Sequence, residues 1–300
     1  MVRRDEVGRG IAFTLLAIFL FATQDAVSKF LMQDHSPFQV AMMRFWAFCA
    51  MSVVIARHRG SMRAALRSRA PKLQILRPVL LVVDIWLFMF ALQTVPLAEL
   101  QAITLVYPLI VTLVAIPFLG ERVGVFRLSA VLAGFAGALV IVRPGGLPLD
   151  FGAFCALASA ACYAVYLALT RKVSGVDSTE TSLLYVGIVG LALTTAVGVF
   201  FWQTPDAASL GLLLYIMFTG CAGHGLIIAA LATAPASVLQ PFNYTALPWG
   251  ILFGYLFFGQ MIDSISLGGA ALIVAAGMVV MARERLKKAP ILPPALPGRE

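Results

Sequence analysis

The stretch LQPFNYTALPWG, residues 239–250, sits inside a run, 236–258, that is long and apolar enough to cross a bilayer. A membrane span with two prolines, Gln240, Asn243 and Tyr244 in its middle is a poor lipid-facing helix, because lipid offers no partner to a backbone group that proline frees. Its meaning comes from a second copy. Sliding the chain by 139 residues places ALQTVPLAELQ (91–101) on ALATAPASVLQ (230–240), and the match extends through Leu113/Leu252, Phe118/Phe257, Gly120/Gly259 and Leu128/Leu267. Ten identities over 38 positions exceed the three or four that apolar composition alone would give.

Working outward, 61% of residues are hydrophobic and 12% charged, which excludes an ordinary soluble globule. Ten stretches approach the ~20 residues needed for a hydrocarbon layer of about 30 Å. They are 8–32, 37–56, 77–94, 97–119, 123–142, 151–170, 178–202, 207–232, 236–258 and 264–282. The predicted fold is therefore an all-α integral membrane protein of ten transmembrane helices. Five spans per repeat is an odd number, so residues 8–142 and 151–282 are expected to be inverted repeats, the plan of many secondary transporters. The segment VRPGGLPLD (142–150) reads as their linker, and the Pro-rich residues 283–300 as a disordered cytoplasmic tail.

The net charge of +8 is topological and does not point to nucleic acid. Nineteen of the 22 Lys and Arg fall on one side of the ten-span plan, leaving Lys29, Arg44 and Arg143 for the outer half. That bias sets both termini in the cytoplasm. The first apolar run exceeds the 7–15 residues of a signal peptide and leads to DAVSKF instead of a small-residue cleavage site, so it reads as a retained helix. The four cysteines lie inside spans and imply no disulfide framework.

Several pieces resemble a known family. LVYPLIVTLVAIPFLGERVG (105–124) with LSAVLAGFAGALVIVRPG (128–145), and APASVLQPFNYTALPWGILFGYLFFG (234–259) with LGGAALIVAAG (267–277), resemble the paired EamA units of the drug/metabolite transporter superfamily. The likeness covers about residues 8–282, and its narrower form is to bacterial YddG-type amino-acid exporters. It implies a ten-helix bacterial inner-membrane exporter of amino acids, aromatic ones included, or of metabolites or drugs. Where the second unit often reads FGE, this chain has Phe258-Gly259-Gln260, so no role of that acid carries over.

Polar residues within spans mark the candidate site. At 100° per residue, Gln240, Asn243 and Tyr244 share one stripe of the ninth span, with Pro241 and Pro248 at its edge and Trp249 opposite. Gln101, Thr104, Pro108 and Thr112 form the equivalent stripe of the fourth. Paired proline-interrupted faces are expected to line a cavity, with Pro108, Pro241 and Pro248 as hinges. The first span adds Gln24 and Asp25, with Lys29 at i+4 able to neutralise Asp25. The sixth adds Ser159, Tyr163, Tyr166 and Thr170, aromatic walls with polar tips. Arg44 and Asp84 are deep charges, either a mutual pair or partners for a substrate's carboxylate and amine. His224, in GCAGHG (220–225), faces small residues that permit close helix approach.

Scattered histidines exclude an H-E-x-x-H metalloprotease, no P-loop is present, and His224 has no evident carboxylate for serine chemistry. The chain is expected to be no enzyme and to need no cofactor or metal. It should work as a monomer in the lipid bilayer, on small-molecule amino-acid substrates, with no nucleic-acid partner. Residues 151–282 hold no membrane-buried acid, so movement is expected to be facilitative, with proton antiport as the alternative resting on Asp25, Asp84 or Glu99.

Overall fold

A computed structural model describes residues 4–59, 61–119, 125–142, 151–234 and 236–288, and among them it is helical throughout, without strands. The first three long helices are α1 (Arg4–Asp34), α2 (Pro37–Arg59) and α4 (Pro71–Thr94), with a single short turn, α3 (Met62–Ala65), between the last two. Then come α5 (Leu97–Thr104), α6 (Tyr107–Leu119) and α7 (Val125–Val142). The remainder is α8 (Phe151–Val173), α9 (Thr179–Gly198), α10 (Ala207–Thr233), α11 (Ala236–Leu239), α12 (Ala246–Phe258) and α13 (Ser264–Lys288). Seven of the described helices are long and apolar enough to cross a membrane. A helix meets that condition because it satisfies its own backbone in lipid.

The other three predicted spans differ instructively. The fourth is broken into α5 and α6 at Leu105–Val106, just ahead of Pro108. Pro108 falls in the first turn of α6, where its missing N–H costs nothing, and its ring displaces the carbonyl of Thr104, where α5 stops. The ninth is α11, a 3-10 segment over Gln240–Thr245, and α12. Pro241 lies in the 3-10 segment, whereas Pro248 occupies the first turn of α12 and is exposed. The fifth, α7, is the shortest of the three. The GERV residues 120–123, the predicted linker beyond Val142 (143–150) and the predicted tail beyond Lys288 (289–300) lie outside the described residues, as does the Gln240 side chain, whereas residues 283–288 of that predicted tail continue α13 as helix.

Ends are set by local chemistry. Ser178 accepts from the Thr181 N–H at 3.2 Å and Asp206 from the Ser209 N–H at 2.8 Å, capping α9 and α10. α12 stops at Gly259, whose φ of 61° is the left-handed conformation glycine adopts most readily.

Packing pairs helices across the chain: α1 on α10, α4 on α8, α2 on α9, and α7 on α13. Small residues set the approach. A Cβ at Gly137 would stand 2.7 Å from the Gly269 carbonyl, and one at Gly269 stands 2.6 Å from that of Gly137, so α7 and α13 touch backbone to backbone. Gly223 makes room for the Phe21 ring between α10 and α1, and Gly250 for the Gln101 side chain between α12 and α5. Gly254, one turn on from Gly250, likewise faces Leu97 and Ala98 of α5.

One end is tied by Asp177, in the turn between α8 and α9, to the loop before α4. Its carboxylate accepts from the Ser68 hydroxyl, from the Arg69 N–H at 2.8 Å and from Gln74 Nε2 at 2.9 Å. Partial burial pushes the Asp177 carboxyl up, but these donors outweigh it and hold the group below its ordinary 3.8. A depressed folded value gives stability that is present above the unfolded pKa and is lost as pH falls through the folded one. Asp177→Asn is therefore expected to lower the melting temperature in detergent by about 1–2 °C at neutral pH. The gap from wild type should close in acid below 3.8; a gap of constant size from neutral to strongly acid pH contradicts the assignment.

Candidate functional site

Among the described residues, two chambers inside the bundle adjoin each other. The larger, about 410 Å³, lies among α2, α4, α8, α9 and α10 and reaches the Asp177 turn. The smaller, about 300 Å³, lies among α1, α4, α5, α8 and the 3-10 segment. Arg44, Leu81, Ile85, Tyr163 and His224 line both, so the two meet there. Their volumes are those of small-metabolite sites.

Charge concentrates at this junction. Asp25 accepts from Gln101 Nε2 at 2.7 Å, and Asp84 accepts from the Ser159 hydroxyl at 2.5 Å. Arg44 lies within electrostatic reach of both carboxylates, yet among the described residues its guanidinium makes no hydrogen bond or close ion pair. It faces the chambers with five donors uncommitted. Lys29 does not pair with Asp25. Its ammonium donates to the carbonyls of Leu92 and Val95, at 2.6 and 2.7 Å, and lies 5.7 Å from the Phe258 ring centroid. These carbonyls belong to the C-terminal end of α4, the negative end of its dipole, which outbids a neighbour one turn away.

Aromatic walls flank the charges. Tyr163 meets Tyr107 edge-on at 5.0 Å and stacks on Tyr166 at 5.8 Å. On another wall, His224 has Phe21 and Phe48 edge-on at 5.2 and 5.1 Å. Asn243 reaches the Tyr107 hydroxyl at 3.3 Å and lines the smaller chamber. Gln24 lines it too, with Oε1 buried and without a donor.

The junction thus unites Gln24, Asp25, Arg44, Asp84, Gln101, Tyr163, His224 and Asn243, with Tyr166 further along the larger chamber. Tyr244 is not among the residues that line these two chambers. Its ring turns to α13, where Gly277 leaves space for the hydroxyl. Trp249 packs on Phe19 at 4.9 Å. Sequence reasoning missed Tyr107, which as one aromatic in an apolar run looks like core, although its place directly before Pro108 was a signal. It also missed Arg77. That residue reads as topology charge at a span's start, yet it is 1% exposed in the wall of the larger chamber. There it donates to Thr170, Gln74 and the Ser182 carbonyl at 2.8–3.1 Å, joining α4, α8 and α9.

Long apolar helices, two broken spans and a charged cavity between them define a multi-pass membrane transporter. The chain belongs to the EamA-like transporter family, which matches it over residues 8–143 and again over 150–282. It is 29% identical to a riboflavin transporter of Rhizobium johnstonii, over 92% of this chain and 91% of that one. It is 24% identical to an S-adenosylmethionine uptake transporter of Rickettsia bellii, over 92% and 93%. It is also 24% identical to the pseudopaline exporter CntI of Pseudomonas aeruginosa, over 95% and 99%. The family is that of the sequence resemblance, and none of these three relatives is named as an amino-acid exporter, so they do not show the narrower amino-acid branch.

Proposed function

We propose that the chain moves small metabolites that join a planar ring to a charged group, by alternating access around the Arg44 junction. The observation that carries this reading is an uncommitted guanidinium at the meeting point of two chambers walled by aromatic rings. A fork of donors suits a carboxylate or phosphate, and the rings suit a flat apolar body. Aromatic amino acids are small members of that class, and the S-adenosylmethionine of one relative's name belongs to it; the riboflavin of another shares the flat ring body alone.

Two inverted five-helix halves would rock about this site. Support comes from packing that survives exchange of the halves. Exchange turns α1 on α10 into α8 on α4, and it leaves α2 on α9 and α7 on α13 unchanged. The two separate family matches support the same division. The positive-inside count supports both termini in the cytoplasm of a bacterial inner membrane, and chambers complete within one chain support a monomer.

Facilitative movement is the first reading of the driving force. Proton exchange has its own observation, the two carboxylates beside Arg44. Purified protein in proteoliposomes, offered labelled tryptophan, riboflavin and S-adenosylmethionine, is expected to take up at least one saturably without a pH gradient. Uptake only with a gradient selects proton exchange, and no saturable flux for any compound overturns the carrier reading.

A further inference from the structure

The charge count of the site is uneven. Asp25 from α1 and Asp84 from α4 face a single cation, Arg44 from α2, which supplies the attraction felt by each. The other nearby cations are engaged. Lys29 lines neither chamber, its ammonium being turned to the carbonyls that end α4, and Arg77, bound to Thr170, Gln74 and Ser182, sits in the large-chamber wall with Asp177 as its opposite charge. Of the remaining titratable groups facing the carboxylates, Tyr107, Tyr163, Tyr166 and Cys162 are neutral near pH 7 in their ordinary forms, and the His224 imidazole is mostly so. Glu99 is directed to Ser266 of α13. With both carboxylates ionised against one guanidinium, one negative charge is left over, in a span region where an uncompensated charge is costly.

We infer that the joined chambers select ligands of net charge +1, a ring-bearing organic monocation. This rests on the carrier reading above for what the site is used for. The ligand's anionic group, where it has one, meets the Arg44 fork, and its cationic centres meet Asp25 and Asp84. Gln24 lines the same chamber, with its Oε1 turned away against Gly220 of α10. A neutral or zwitterionic ligand of the same shape fills the space and leaves the surplus charge unmet. A proton is the smallest competing monocation, so acidification weakens binding of the organic one.

The test is binding to the full chain in nanodiscs of neutral lipid, using two pairs that share a ring and differ by one positive charge. These are S-adenosylmethionine against S-adenosylhomocysteine, and 1-methylnicotinamide against nicotinamide. In at least one pair the cation is expected to bind about 10-fold tighter or more near pH 8. That preference should shrink towards unity in Asp25→Asn or Asp84→Asn, which remove the surplus, and in wild type as pH falls to about 6. The wild-type pH series stands even where a variant does not fold. No cation preference in either pair overturns the inference, as does a preference that ignores pH and persists in every folded Asn variant. Saturable flux of neutral riboflavin without cation preference would sink the inference and leave the carrier standing. Cation preference without flux of any compound would do the reverse.

Discussion

Arg44→Gln is expected to reduce saturable transport by about 30- to 150-fold at low substrate, and Arg44→Lys to recover only part of the loss. The range follows from the ~2–3 kcal/mol of a charge-assisted, two-pronged hydrogen bond to a substrate anion. Lysine keeps the charge that Asp25 and Asp84 feel but not the fork, so it separates the two functions of the side chain. Among the described residues the guanidinium makes no hydrogen bond, so the lysine variant strands no acceptor there and should melt within a few degrees of wild type. An arginine that merely braced helices would behave oppositely, with stability falling and transport per folded molecule unchanged. Proteoliposome flux and a detergent melting curve on the same preparation distinguish them, and normal flux in Arg44→Lys sinks the fork.

How much of this was readable from the sequence varies by kind of signal. Apolar runs mark the long helices because lipid forces each to satisfy its own backbone. Arg44 and Asp84 are legible as buried charges because nothing else explains a charge in such a run. Partner choice is not legible. The spacing of Asp25 and Lys29 permits a pair, but the winning partners of Lys29 are carbonyls of α4 more than 60 positions away. Likewise Asp84 could have met Arg44 directly, and its closest partner is Ser159 on α8. Local spacing gives the set of groups a side chain can reach within its own helix, and tertiary packing then chooses among helices. Proline positions locate the breaks only to a turn, since Pro108 marks the residues before it and Pro248 marks a helix start.

Tyr244 carries the second large expectation. It falls on the polar stripe with Gln240 and Asn243, so the sequence makes it a substrate contact. The fold instead buries its hydroxyl, without a hydrogen-bond partner, in the notch that Gly277 leaves on α13. A Cβ at Gly277 would stand 1.5 Å from that oxygen and 2.5 Å from the ring carbon that bears it. Gly277→Ala must therefore push α13 off the 3-10 segment, at an overpacking cost of about 1–3 kcal/mol or more. The melting temperature should fall by about 3–10 °C. Tyr244→Phe removes only a buried hydroxyl that has no partner, so it should leave stability unchanged or raised and transport intact. Tyr244→Leu, which clears the notch, should make Gly277→Ala far less costly, and the coupling between the two changes is readable as a double-mutant cycle. If Tyr244→Phe loses transport while Gly277→Ala is silent, the hydroxyl touches substrate and the notch does not hold the broken span. With the hydroxyl out of the chamber, the polar side chain of the described 3-10 residues that lines it is Asn243, whose reach to Tyr107 links the two broken spans to each other across the smaller chamber.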